Sequence, residues 1–112
     1  MSCLFCKIIA GEIPSDKVFE DEHTYAFRDI DPHAPTHVLI VPRRHISSLA
    51  HAASDDKEVL GALHQVAAKI AASEGLTNGF RTVINTGSDG GQTVHHLHVH
   101  LLGGRAMGWP PG

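Results

Sequence analysis

The run His95-His96-Leu97-His98-Val99-His100-Leu101-Leu102 constrains this chain more than any other segment. Histidine alternating with aliphatic residues has a period of two, which suits a β-strand rather than a helix. Extended, the run sets His96, His98 and His100 on one exposed face and turns Leu97, Val99 and Leu101 toward the core. Imidazole titrates near neutral pH and can serve there as base, acid, nucleophile or metal ligand. A single strand histidine is ordinary surface, but an exposed face needs only generic polar residues, not three imidazoles. The row implies a phosphate site, a metal site or both, with chemistry as the favoured reading.

Directly ahead of the row lies Asn85-Thr86-Gly87-Ser88-Asp89-Gly90-Gly91-Gln92-Thr93. Paired glycines let backbone approach a ligand closely and aim successive N–H groups at an anion. Leading into histidines, such a loop reads as a phosphate cradle, with Gln92 and Thr93 adding side-chain donors. A second constellation is Cys3-Leu4-Phe5-Cys6. Two cysteines three apart cannot form a disulfide scaffold; they read as half of a zinc site, a redox dithiol or two ordinary cysteines. A thioredoxin-type motif would need a βαβ context that is absent. A zinc reading needs two further ligands, for which histidines at strand ends are the natural source. The strand-like stretch His37–Val41 precedes Pro42-Arg43-Arg44-His45, so a histidine stands at each end of it. Asp29, just before the proline loop, is either a turn carboxylate or an acceptor for a sugar diol.

The rest of the chain supplies a scaffold. At 112 residues it fits one domain, residues 1–112, with one modest core. The net charge of −3 argues against a nucleic-acid binder. No basic and hydrophobic leader follows Met1 and no long apolar run occurs, so no membrane association and a cytoplasmic location are expected. A short helix is expected over residues 3–10, ended by Gly11, then a hairpin of strands 18–20 and 24–29 around an acidic turn. A buried strand spans 37–41. One long helix runs from Ser54 or Asp55 to Ser73, with Asp55 and Glu58 as a capping box and Gly75 as its stop. Its stripe of Val59, Leu60, Leu63, Val66, Ala67 and Ile70 packs on a sheet. Strands over 80–85 and 94–102 complete about five strands without βαβ alternation, which argues for an α+β domain with an antiparallel sheet. Trp109, in a proline-rich tail, is a loose end or an anchor on a partner surface.

At this point His96-Leu97-His98-Val99-His100-Leu101-Leu102 resembles the motif of the histidine triad (HIT) family, in which three histidines alternate with hydrophobic residues. Cys3–Ile9, Glu12–Pro14, Ala26–Ile30, Ala34–His37, Pro42–His45 and Gly87–Gln92 are similar to that family in the same order, and residues 103–112 resemble its nucleotide-binding (HINT) branch. The resemblance implies an α+β HIT-like fold, a homodimer whose two sheets join into one, and hydrolysis or transfer at the α-phosphate of a purine nucleotide. In the HINT branch the implied substrates are purine nucleoside 5′-phosphoramidates. A dinucleoside polyphosphate hydrolase, or a nucleotide- or zinc-binding interaction module with little turnover, is the alternative. Carried over by position, His98 is the nucleophile, His100 a donor to phosphate, and His96 and His37 orient the row. Thr93 stands where the branch usually has serine, and would assist the leaving group. Asn85 and the amides near Gly91, with Gln92 and Thr93, would contact phosphate. Asp29 would hold the ribose, while Phe5, Ile8, Ile13, Phe27 and Ile30 would form the base slot. Relatives carrying the two-cysteine motif imply structural Zn2+ on Cys3, Cys6, His45 and His96, and no catalytic metal is required. Gly108 departs from the branch, where histidine usually precedes the tail tryptophan.

Overall fold

The computed structural model describes residues 3–112. Every residue of the strand β3 (Thr36–Pro42) is buried, because β3 lies mid-sheet and is covered on both faces. The other strands are β1 (Lys17–Glu20), β2 (Thr24–Arg28), β4 (Phe80–Val83) and β5 (Val99–Gly103), in the order β1-β2-β3-β5-β4 with all pairings antiparallel. Strand alternation splits the apolar residues between two faces. Ala26, Val38, Ile40, Val99 and Leu101 pack under Leu63, Val66, Ala67 and Ile70 of the long helix α2 (Lys57–Ser73). Tyr25, Phe27, Leu39 and Val41 face the other way, under Phe5 and Ile8 of the short helix α1 (Leu4–Ile9). This is the expected α+β architecture with a five-stranded antiparallel sheet, one long helix and one short one. No helix among the described residues is long and apolar enough to cross a membrane.

Local chemistry explains the element ends. A 3-10 turn, Ser54–Asp56, precedes α2, and the carboxylate capping it is Asp56, which accepts the Ala53 N–H at 2.8 Å. The expected Asp55–Glu58 pairing is thus displaced by two residues, to Ala53 and Asp56, because Asp56 is the buried carboxylate and also pairs with Arg44. At the far end Arg28 grips Glu74 with two bonds of 2.9 and 3.1 Å, tying β2 to the helix terminus. Gly75 follows at φ +73°, a left-handed conformation that glycine takes without strain.

The expected last strand, 94–102, is wrong at its start: β5 begins only at Val99. Its ladder with β3 stops at Ile40↔Val99. Continued, the register would set Leu97 against Pro42, which has no N–H to give. Leu97 N–H instead donates to Ile46 carbonyl at 2.7 Å, in the segment after β3. The strand expected over 80–85 is likewise shorter, ending at Val83.

The core under α2 makes one test plain. Leu63 is fully buried among β-strand aliphatics, so Leu63→Ala should cost about 2–5 kcal/mol of unfolding free energy in urea melts.

Candidate active site and metal centre

Phe27, Leu39 and His100 stand opposite one another on β2, β3 and β5, forming a row across the second face of the sheet. Above this row, α1 and the segment after the glycine loop enclose a pocket of about 300 Å³. Of the residues expected to bind a nucleotide, Phe5, Ile8, Ile13, Phe27, Asp29, Ile30, Thr93, His98 and His100 all line it. Leu4, Pro14, Leu39 and Val94 line it too, and sequence reasoning missed them. Cross-strand register would have found Leu39, since it faces both Phe27 and His100. Ile30 is fully exposed at the rim.

The imidazoles are not an exposed row. His96 and His98 are buried and His100 is half-buried, because the chain turns inward before β5 begins. Burial lets fixed partners decide which ring nitrogen carries each proton. His98 Nδ1 lies 2.7 Å from the carbonyl of His96. A carbonyl only accepts, so Nδ1 is the protonated nitrogen and the Nε2 lone pair of neutral His98 is left free. Phe5 meets this ring edge-on at 5.1 Å between centroids, and His100 lies at 5.0 Å.

The opposite tautomer holds at the back of the site. The backbone N–H of His33 donates to His37 Nδ1 at 3.1 Å, so neutral His37 carries its proton on Nε2. That proton is given to His100 Nδ1 at 2.9 Å, which leaves His100 with an Nε2–H to offer. Asp29 flanks the pair, its Oδ2 3.4 Å from His37 Nε2. Burial pushes His100 down to about 4, with the neighbouring His98 and His37 adding to the fall and Asp29 opposing it. Burial lowers His37 as well, again against the pull of Asp29. Both rings are therefore neutral at pH 7, as these tautomers require.

The glycine loop is self-contained. Gly90 lies so close to Thr86 that an added Cβ would sit 2.3 Å from its carbonyl oxygen. The Gly91 N–H donates to Ser88 carbonyl at 3.1 Å. Gln92 is spent on the same fold: its oxygen accepts the Gly87 N–H, and its amide donates to Ser47 and Val94 carbonyls. Asn85, Gly91 and Gln92 are not among the residues lining the pocket, and the loop delivers Thr93 and Val94 to it.

Behind the pocket wall, Cys3, Cys6, His45 and His96 bring their ligand atoms together. His96 Nε2–H donates to Pro42 carbonyl at 2.8 Å, so its Nδ1 holds a lone pair. That nitrogen lies 3.2 Å from His45 Nδ1, 3.4 Å from Cys3 Sγ and 3.6 Å from Cys6 Sγ, and Cys6 Sγ is 3.4 Å from His45 Nδ1. Tetrahedral zinc with ordinary bond lengths has edges of about 3.3 Å between nitrogens and about 3.5 Å between nitrogen and sulfur. Donor types, tautomer and spacing all fit Zn2+. Asp29, His37 and His100 also converge, but there His37 Nε2 carries a proton and has no lone pair to give. The first cluster offers two thiols and two imidazoles, the second one carboxylate and two imidazoles already hydrogen-bonded to each other.

Together these features define a class: an α+β protein whose paired sheet and short helix hold buried, tautomer-fixed histidines against a small apolar pocket. The sequence matches the HIT domain over residues 10–107, and the chain belongs to the HIT family. A 14 kDa zinc-binding protein of Zea mays is 55% identical over 97% of this chain and 87% of its own length. The crystal structure of a HIT family hydrolase from Legionella pneumophila superposes with a TM-score of 0.97 at 54% identity, covering 99% of this chain and 100% of that one. A histidine triad nucleotide-binding protein from Candida albicans gives a TM-score of 0.83 at 38% identity, over 97% of this chain and 83% of that one.

The depressed His100 and His37 also set a pH dependence. Unfolded histidine takes up protons near pH 6.5, protons that the folded rings refuse until the pH is much lower. Their stabilisation is thus complete above about pH 6.5 and is lost as pH falls toward 4. Unfolding at pH 7 and pH 5 should show a smaller loss for His100→Asn than for the native chain; equal losses would assign the effect elsewhere.

Proposed function

We propose that this chain is a nucleotide-binding hydrolase that cleaves purine nucleoside 5′-phosphoramidates to the monophosphate through a nucleotidyl-His98 intermediate. The observation that carries this is the free Nε2 of His98, on a ring whose other nitrogen is committed to the His96 carbonyl, in a pocket it shares with Asp29 and an apolar slot. Likeness to the HIT family hydrolase of Legionella pneumophila and to the histidine triad nucleotide-binding protein of Candida albicans supports the class. The phosphoramidate rests on the resemblance of the tail to the HINT branch.

In this reading the base enters between Phe5, Ile8, Ile13, Phe27 and Ile30, and Asp29 accepts hydrogen bonds from the ribose hydroxyls. The α-phosphorus then faces His98. Neutral Nε2 attacks phosphorus, and the substrate's phosphorus–nitrogen bond breaks. The departing amine takes a proton from water beside the Thr93 hydroxyl, a proton that the attacking water of the second step returns. His100 donates Nε2–H to a phosphoryl oxygen, whose charge grows in the transition state. His37 keeps His100 in that tautomer. Water then cleaves the phosphorus–nitrogen bond to His98, releasing the monophosphate and restoring the imidazole. Splitting one displacement into two lowers each barrier, and the fixed donors serve both. Asn85 and the amides near Gly91 and Thr93 contact phosphate, and His96 orients His98 through its carbonyl.

Cys3, Cys6, His45 and His96 hold zinc, as the name of the maize relative supports. Zinc, when bound, supplies a cross-link between segments. A homodimer forms along the open edge of β4, beside exposed Phe80 and Trp109.

Incubated with an adenosine 5′-phosphoramidate, the wild type should turn over, and folded His98→Ala should lose several orders of magnitude in kcat. Denaturing alkaline quenching should trap the adenylyl group on His98, because a phosphorus–nitrogen bond to imidazole survives base and is lost in acid. Absence of turnover by the folded wild type would end the phosphoramidase reading; cleavage of diadenosine polyphosphates instead would move the substrate, and tight AMP binding alone would make the chain a binding module. Metal analysis should find about one zinc per chain, and much less in Cys6→Ser.

A further inference from the structure

His96 belongs to two sites at once. Its Nδ1 faces Cys3, Cys6 and His45, its Nε2 donates to Pro42, and its carbonyl accepts the proton that sets the His98 tautomer. The sheet does not fix that carbonyl, because the β3–β5 ladder ends at Val99. His96 is held by side-chain and loop contacts to residues 42–46, and that segment is irregular beyond Pro42. A metal bound to both His45 and His96 would staple the two irregular segments together.

The same four residues reach the pocket by a second route. With six residues, α1 is far too short to persist as an isolated helix. Cys3 caps it, its Sγ accepting the Cys6 N–H at 3.4 Å, and both cysteines face the histidine pair. From α1, Leu4, Phe5 and Ile8 form pocket wall, and Phe5 sets its ring edge-on to both His98 and His96. The core under α2 contains no α1 residue and none of the four ligands, so it can fold without them.

We infer that the Cys3–Cys6–His45–His96 centre, with metal bound, positions the reacting side of the pocket. It fixes the His98 tautomer through the His96 carbonyl and seats α1 as the wall of the base slot. The inference rests on the reading of His98 as nucleophile and adds metal control of that nucleophile. His96, Cys3, Cys6 and His45 are here positioning residues, acting through His98 and Phe5.

The test compares zinc-loaded, chelator-treated and cadmium-reconstituted protein, observing His98 by long-range 1H–15N correlation and AMP affinity by calorimetry. Loaded protein should show His98 with its proton on Nδ1 alone. Chelated protein should show a tautomer mixture and bind AMP about tenfold or more weakly, a loss of the size that outer-shell changes produce. Cadmium should restore both, while amide protection in α2 and the sheet stays constant throughout. His45→Ala, which touches neither His98 nor the pocket lining, should repeat the chelated result. An unchanged tautomer and affinity in folded, metal-free protein would overturn the inference. So would global unfolding of both chelated wild type and His45→Ala, since the centre would then hold the whole fold. Loaded protein with His98 in the stated tautomer but no adenylyl adduct would instead fail the phosphoramidase reading, and the tautomer comparison would still decide the coupling.

Discussion

The site depends on burying imidazoles beside partners that can play only one hydrogen-bonding role. A carbonyl cannot donate and a backbone N–H cannot accept, so the His96 carbonyl, the Pro42 carbonyl and the His33 amide each dictate a tautomer. In water a neutral imidazole exchanges freely between its two forms. Within the fold, His98 keeps a free Nε2, His100 a free Nε2–H and His96 a free Nδ1. Three chemically identical residues thus present a lone pair to the pocket, an N–H to the pocket and a lone pair to the cysteines. Burial reinforces the assignment, since it holds His100 and His37 neutral at physiological pH.

This division explains why the two faces of the sheet differ in character. The face under α2 is a continuous aliphatic core, anchored at one end by the Arg28–Glu74 pair. It carries the stability that lets the other face hold unfavourably buried polar groups. There the covering layer is thin: a six-residue helix and an irregular segment, with the pocket between them. The backbone is irregular at that place because neither neighbouring ladder reaches His96: pairing with β3 ends at Val99 and pairing with β4 at His100.

Much of this was legible in the sequence. Alternation of period two placed Leu97, Val99 and Leu101 in the core, and helical spacing located α2 to within a few residues. Two cysteines three apart, with strand-end histidines, left zinc open, and family resemblance supplied the four ligands that the fold brings together. The pocket residues Phe5, Ile8, Ile13 and Phe27 came the same way. For the glycine loop, Gly-rich sequence reports only that backbone is free to turn, not where its N–H groups point. Gly91 and Gln92 turn theirs inward.

The sequence by itself determined the residue types and their periods, and with them the sheet, the helices and the presence of histidine chemistry. Only the tertiary structure decided that the histidine row is buried, that β5 starts at Val99, and that His96 faces the cysteines while His98 faces the pocket. The physical reason is that burial, ligand role and the tautomers of His96 and His100 are set by partners distant in the chain. Pro42 and Cys3 lie 54 and 93 residues from His96, and His37 lies 63 from His100, so no local pattern encodes their meeting. Even the end of the strand follows from a proline on the neighbouring one, whose missing N–H closes the ladder and frees the chain to turn inward.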